Sequence, residues 1–351
     1  MPGNFFGERF KISTFGESHG EAVGVIIDGV TPGVEIEEKY IQDQMDRRKP
    51  GQSSVTSPRK EYDKINIISG MFNGKTTGTP LCIILFNTDM RPEAYDDIEK
   101  SFRPGHADFT YLKKYGIRDH RGSGRASGRE TAARVAAGAV ARKLLEQRGV
   151  SILAYTTEIG GIKCDTFDEK VIENNPVRAC DPEAATKMVE KIEALAEIGD
   201  SCGGVVECII RGVNPGLGEP AFDKLDAELA KAMLSIGAVK GIEFGAGFAA
   251  AKMLGSEHND QMNQDGFITN HSGGVIGGIS TGEDIIFRIA VKPTSSISVP
   301  QHTTTILGEE TVIVTKGRHD PCICPRIVPV VEAMACLVLE DHYKRQAALI
   351  D

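Results

Sequence analysis

With 351 residues the chain can build one large hydrophobic core or two ordinary domains, and it needs no disulfide or metal staple to fold. A formal charge of -9 and the absence of tryptophan argue against a nucleic-acid partner, which wants a basic face and aromatic stacking platforms, but they leave room for a local basic pocket around a small anion. No apolar run approaches the ~20 residues that cross a bilayer, no signal-peptide pattern opens the chain, and eight cysteines without a C-x-x-C pair fit a reducing cytoplasm.

Along the chain, Gly16-Glu17-Ser18-His19-Gly20 precedes a β-branched run, Ala22–Asp28, that reads as a strand. A helix-like stretch over 36–47 ends in Arg47-Arg48-Lys49, the end of a helix that favours cations. Residues 67–87 read as strands around a Gly/Thr turn, with Leu81–Phe86 the most apolar part. Arg103-Pro104-Gly105-His106-Ala107-Asp108 follows, and then the run from Arg121 to Arg129, which alternates glycine and arginine and feeds an alanine-rich helix over 131–147. Asp181 is placed to cap a helix over 182–198. The later segments read as a strand over 205–211, a helix over 222–234, the strand Ile285–Val291, a strand over 311–315 and a helix over 328–342.

A repeat runs through this order. Gly16-Glu17-Ser18-His19-Gly20 and the run to Gly33 keep register with Gly199-Asp200-Ser201-Cys202-Gly203 and the run to Gly216. Each copy continues into a helix, then a strand pair (67–87 and 274–291), then a helix preceded by Gly-Arg, at Gly124-Arg125 and Gly317-Arg318. A duplicated strand–helix unit predicts a single domain of two related halves, about 1–150 and 195–345. Where His19 stands, the second copy has Cys202, so the frame itself does not require an imidazole.

His19, His106 and His319 each sit in a Gly/Arg-rich, helix-breaking stretch beside Arg, Asp or Glu. Such a histidine props up no core, whereas its imidazole transfers protons near neutral pH; the plain alternative is a mobile surface loop. The Arg121–Arg129 run suits phosphate, because backbone N–H groups at a helix start and guanidinium forks both bind oxyanions. Lys292-Pro293-Thr294-Ser295-Ser296 adds a charge and hydroxyl donors. Together with Arg47, Arg48, Arg103 and Arg318 these outline a pocket for a substrate carrying several negative groups. Cys322 and Cys324, close to His319 and Asp320, lack a second ligand pair at zinc spacing and read as structural thiols.

Taken in order, Gly-Glu-Ser-His-Gly, Asp-Arg-Arg-x-Pro-Gly, Arg-Pro-Gly-His-Ala-Asp, Arg-Gly-x-Gly-Arg-x-Ser, Lys-Pro-Thr-Ser-Ser and Gly-Arg-His-Asp-Pro closely resemble the chorismate synthase family across nearly the whole chain. The resemblance implies an α+β fold, a β-α-β sandwich with a helical layer between antiparallel sheets and an internal pseudo-twofold repeat, assembled as a homotetramer. It implies a lyase that eliminates phosphate from 5-enolpyruvylshikimate 3-phosphate in an anti-1,4 sense to give chorismate, with reduced FMN and no net redox change. NADPH enters indirectly, through an external flavin reductase. By motif matching, FMN meets Arg125, Ala126, Ser127, Gly237, Ala238, Gly277, Lys292, Pro293, Thr294, Ser295, Ser296 and Arg318, and the substrate meets Arg48 with Arg47 and Arg103 close by. The catalytic groups implied are His19 for the departing phosphate, His106 for the flavin's pyrimidine edge, and Asp320 as a relay for the proton taken at flavin N5.

Two positions depart from the family pattern. Ser54 stands where many relatives carry an arginine, which leaves Arg59, Lys60 or Lys49 to serve that anionic group, and Ala126 replaces a common serine. Two other readings of the same residues are a non-catalytic flavin- or phosphate-binding protein on this scaffold, and a metal-dependent hydrolase using His19, His106, His319 and Asp320.

Overall fold

The computed structural model describes residues 3–57, 59, 61–89, 98–315, 317 and 319–350. In Ala22–Asp28 the side chains of Val23, Val25 and Ile27 are buried while Ile26 and Asp28 are exposed. This is the period of two that turns one sheet face to a core. Ile285–Val291 does the same with Ile285, Phe287, Ile289 and Val291. Each such aliphatic side chain contributes about 1.5–3 kcal/mol on burial.

Two five-stranded sheets result, and every pairing within them is antiparallel. The first runs in the order Phe5–Phe6, Lys11–Gly16, Ala22–Asp28, Leu81–Phe86, Asn66–Ser69. The second runs Val239–Phe244, Ile285–Val291, Gly204–Arg211, Ser151–Ile159, Ile162–Lys163. Read inward from opposite ends, the two share one connectivity. Lys11–Gly16, Ala22–Asp28, Leu81–Phe86 and Asn66–Ser69 correspond to Ser151–Ile159, Gly204–Arg211, Ile285–Val291 and Val239–Phe244. The helix Glu38–Arg48 corresponds to Leu225–Leu234, and Thr131–Glu146 to Cys324–Ile350. The internal repeat read from the sequence is therefore a repeat of topology.

The helices lie between the sheets. Thr131–Glu146 packs on the first sheet and Cys324–Ile350 on the second, and the two pack on each other. Alanines make this possible: Ala132, Ala133, Ala136, Ala137, Ala139 and Ala141 are all buried. At the crossing, a methyl added to Gly138 would overlap Ala333, so the closest approach of the axes depends on that glycine.

Most predicted elements appear within one or two residues of their expected bounds, and Asp181 accepts hydrogen bonds from the N–H groups of Glu183 (2.9 Å) and Ala184 (3.1 Å) as a cap. Three elements differ. The helix expected over 222–234 begins only at Leu225. Residues 311–315 contribute only Glu310–Ile313, which pairs with Gln301–Thr304 in a separate hairpin. The last helix is longer than its apolar pattern suggested, Cys324–Ile350, and it passes through Pro329. Proline there has no N–H for the carbonyl of Pro325, and Arg178 Nη1 donates to that oxygen instead at 2.5 Å. No helix among the described residues is long and apolar enough to cross a membrane.

Candidate active site

Loops at the ends of the strands and helices close around one cavity of about 1370 Å³. His19, His106, His319 and Asp320 all line it, as do Arg48, Arg103, Arg125 to Ser127, Gly237, Ala238 and Lys292 to Ser296. Sequence segments separated by as many as 300 residues thus meet at one site, which the mobile-loop alternative does not require.

His19 stands on the turn between Lys11–Gly16 and Ala22–Asp28, 7% exposed, with Ser18 Oγ 3.1 Å from its Nδ1. Burial first, and then the nearby charge of Arg59, push its pKa down to about 4. Gly122 lets it sit there. Its φ is +70° and a methyl at that position would collide with the imidazole. Gly122→Ala is therefore expected to displace His19 and lower kcat by about 10²-fold while the chain still folds, which turnover and circular dichroism would check together.

His106 meets a polar partner at each nitrogen, a hydrogen bond at Nε2 and a close carboxylate contact at Nδ1 that falls short of hydrogen-bond alignment. Ser123 Oγ lies 2.8 Å from Nε2, and Asp108 Oδ1 lies 3.0 Å from Nδ1. The same carboxylate takes two bonds from Arg103, from Nε (2.8 Å) and Nη2 (2.9 Å). Despite its burial, the bonds from Arg103 and the adjacent His106 ring hold the Asp108 carboxyl well below the usual carboxylate range. Burial lowers the His106 pKa as well, so the ring is a neutral hydrogen-bonding group rather than a fixed cation.

Asp320 accepts from the Ser57 N–H at 2.7 Å through Oδ1 and pairs with Arg326 through Oδ2. Beside it, burial followed by the charge of Arg103 brings His319 down to about 4. Among the described residues no cluster of three or more His, Cys, Asp or Glu could hold a metal ion.

Arg48 (1% exposed) and Arg129 (3%) are deeply buried and share the two oxygens of Asp63. Burial, opposed by Asp63, brings Arg48 down to about 10. Arg125 donates to Thr14 Oγ1 (2.7 Å) and to the Gly16 carbonyl (3.2 Å), which ties its loop to the strand before His19. The loop itself is two 3₁₀ turns, Gly124–Ala126 and Gly128–Glu130, with Ser127 Oγ accepting from the Arg129 N–H (3.2 Å) just before Thr131–Glu146.

On the opposite wall Lys292 Nζ reaches the Gly105 carbonyl at 3.2 Å, and Thr294 Oγ1 is buried without a hydrogen-bond partner. Ala238 has a left-handed φ of +73°, and its carbonyl accepts from the Lys292 N–H at 2.9 Å. These contacts bring the Gly237-Ala238 and Lys292–Ser296 segments together.

Two expected residues lie elsewhere, and a third is not described. Arg47 is outside the cavity, its guanidinium bonded to Glu332 and Glu173. Gly277 sits in the turn between Val275–Ile276 and Ile279–Ser280, also outside it. Arg318 falls outside the described residues. Ser54 Oγ donates to Glu193 at 2.8 Å on an exposed surface, whereas Arg59 lines the cavity and pairs with Glu61. Of the cations offered in place of the family arginine, the structure brings Arg59 to the site; Lys49 pairs with Asp46, and Lys60 lies outside the described residues. Sequence reading passed over Asp63, Asn87, Asp108, Arg129 and Arg326 as site residues. Only Asp108 and Arg129, which stand inside quoted motifs, carried a local signal.

A family model described as chorismate synthase matches residues 10–343. Over 354 residues the chain is 54% identical to chorismate synthase of Methanosarcina mazei, covering 98% of this chain and 97% of the relative. It is 55% identical to chorismate synthase of Syntrophobacter fumaroxidans over 341 residues, 97% of each. A crystal structure of chorismate synthase superposes with a TM-score of 0.77 at 29% identity, covering 97% of this chain and 93% of that one. With relatives this similar over their full length and a matching fold, the chain belongs to the chorismate synthase family of lyases.

Proposed function

We propose that the cavity binds reduced FMN and 5-enolpyruvylshikimate 3-phosphate side by side and that His19, His106 and Asp320 carry the proton transfers of phosphate elimination. The observation behind this reading is that the three groups line one cavity with Arg48, Arg59 and Arg129, so proton donors and anion-binding guanidiniums share one space. The family resemblance supplies the identity of the ligands.

The donor set fits a flavin mononucleotide. Arg125 and Lys292 offer charge for its phosphate, Ser127 and Ser295 offer hydroxyls, and Thr294 Oγ1 is a buried polar atom that still lacks a partner. Ala126 keeps its backbone groups for such a contact whatever its side chain. Bound there, reduced FMN supplies electron density that assists carbon–oxygen cleavage without being consumed. The protein's part is acid–base and electrostatic. Arg48 and Arg129, held by Asp63, bind the substrate's anionic groups with Arg59 beside them; His19 protonates the departing phosphate; His106, braced by Asp108 and Ser123, sets the protonation of the cofactor; Asp320, braced by the Ser57 N–H and Arg326, passes on the proton lost from the ring.

We assign flavin reduction to a separate NADPH-dependent reductase and the active form to a cytoplasmic homotetramer. Phe15, Ile26 and Phe86 stand exposed on the outer face of the first sheet, and this apolar stripe supports self-association. The test of the catalytic reading is an anaerobic titration. With a small amount of reduced FMN the protein should release many phosphates per flavin and leave the flavin reduced. Product that instead tracks reductant one for one would make the reaction a redox process, and flavin binding without phosphate release would leave only a binding protein.

A further inference from the structure

Asn87 follows the strand Leu81–Phe86, is 8% exposed, and is set back from the cavity wall. Its side-chain Nδ2 donates to two backbone carbonyls, Glu17 O at 2.9 Å and Gly20 O at 2.7 Å, which bracket Ser18 and His19. Its Oδ1 accepts from Arg129 Nε at 2.8 Å, and its backbone N–H donates to Glu21 O at 3.0 Å. The amide orientation is fixed by chemistry. Two carbonyl oxygens require donors and an arginine Nε–H requires an acceptor, so the flipped amide would face like against like at all three contacts. Beyond Arg129 the chain of contacts continues through Asp63 to Arg48.

We propose that Asn87 is a positioning residue for the elimination: one amide sets the place of the His19 turn relative to the Arg129–Asp63–Arg48 group. The proposal rests on the reading of His19 as the acid for the departing phosphate and of the two arginines as the substrate's anion holders. A proton donor and an anion clamp must keep a fixed separation, because the group being protonated is attached to the group being clamped. Among the described residues no other side chain bonds to both carbonyls of the turn and to Arg129.

Asn87→Asp separates this role from simple stapling. The carboxylate keeps the shape and the contact to Arg129, and it presents an acceptor to the Glu17 and Gly20 carbonyls, which frees the His19 turn while the arginines stay in place. The expected result is a kcat lower by about 10²-fold with KM within about threefold, since chemistry suffers and substrate anchoring does not. In the His19→Ala background the same substitution should cost less than about threefold, because no acid remains to be placed. Circular dichroism confirms the fold in each case. Should Asn87→Asp fail to fold, Asn87→Gln keeps the amide but is one methylene too long for all three partners, and it is read in the same way. Equal losses in both backgrounds, or a kcat unchanged while thermal stability drops, would overturn the positioning role alone. Near-normal turnover of His19→Ala by itself would overturn the acid assignment, and with it the partner that Asn87 places.

Discussion

Alanine at His19 is expected to lower kcat by about 10²–10⁴ without unfolding the protein, the usual loss when a positioned acid or base is removed. The side chain packs between Ser18, Gly122 and the cavity rather than in the hydrophobic core, so truncation removes chemistry and little packing. With its pKa brought to about 4 by burial and by Arg59, the ring is neutral at pH 7 before substrate binds. A dianionic phosphate arriving beside it counters Arg59 and raises the pKa, so the proton His19 donates is taken up with the substrate. Phosphate release measured anaerobically with reduced FMN is the readout, and near-normal turnover would sink the assignment. The same shift has a consequence for stability. The folded pKa lies below the ordinary histidine value of 6.5, so the unfolded chain binds the proton more tightly. That contribution is present above about 6.5 and is lost as pH falls through about 4; half-buried His319 and buried His342, also at about 4, act in the same direction.

How much of this was legible in the sequence depends on whether the signal was local. Glycine beside histidine and arginine is a local pattern, and it named His19, His106 and Arg125; a lysine followed by hydroxyl residues is another, and it named the Lys292–Ser296 segment; all of these line the cavity. The repeat was legible because turns and strand starts reuse the same glycines in both halves. Arg47 was misplaced for a geometric reason. It precedes Arg48 on one helix, and successive helical residues point about 100° apart, so Arg48 faces Asp63 while Arg47 faces Glu332 on the last helix. The early start of that last helix, at Cys324, was hidden by Pro325 and Pro329, since the rescue of the freed carbonyl comes from Arg178 far away in sequence; its extension to Ile350 follows a polar stretch with no apolar period to mark it. Asp63 and Asn87 lie in no motif. Their importance is a matter of partners 15, 66 and 42 residues away, which only the folded chain brings together.

Replacing Asp63 with alanine is expected to destabilise the protein by about 3–5 kcal/mol, the usual cost of leaving buried charge without its counter-ion. Arg48 and Arg129 would face each other across the gap, both almost fully buried, with only Asn87 and weaker contacts to carbonyl oxygens remaining. Despite its own burial, the two guanidiniums hold the Asp63 carboxyl below its ordinary value of 3.8. Its contribution is therefore present above that value and disappears as pH falls through the lower, folded one. Asn at the same position keeps the shape and one acceptor, so Asp63→Asn should lose less stability than Asp63→Ala; in strong acid, where the carboxylate is protonated, Asp63→Asn should converge with wild type while Asp63→Ala stays below both. Urea unfolding at pH 7 and at low pH measures this directly. Function adds a second, independent sign. An inorganic anion such as sulfate can enter the cavity and bridge the two unpaired guanidiniums, so it should restore part of the stability of Asp63→Ala while competing with substrate for the same charges. Wild-type stability in Asp63→Ala, or stabilisation by sulfate no greater than in the unmodified protein, would mean that Arg48 and Arg129 are not an anion clamp held open by Asp63.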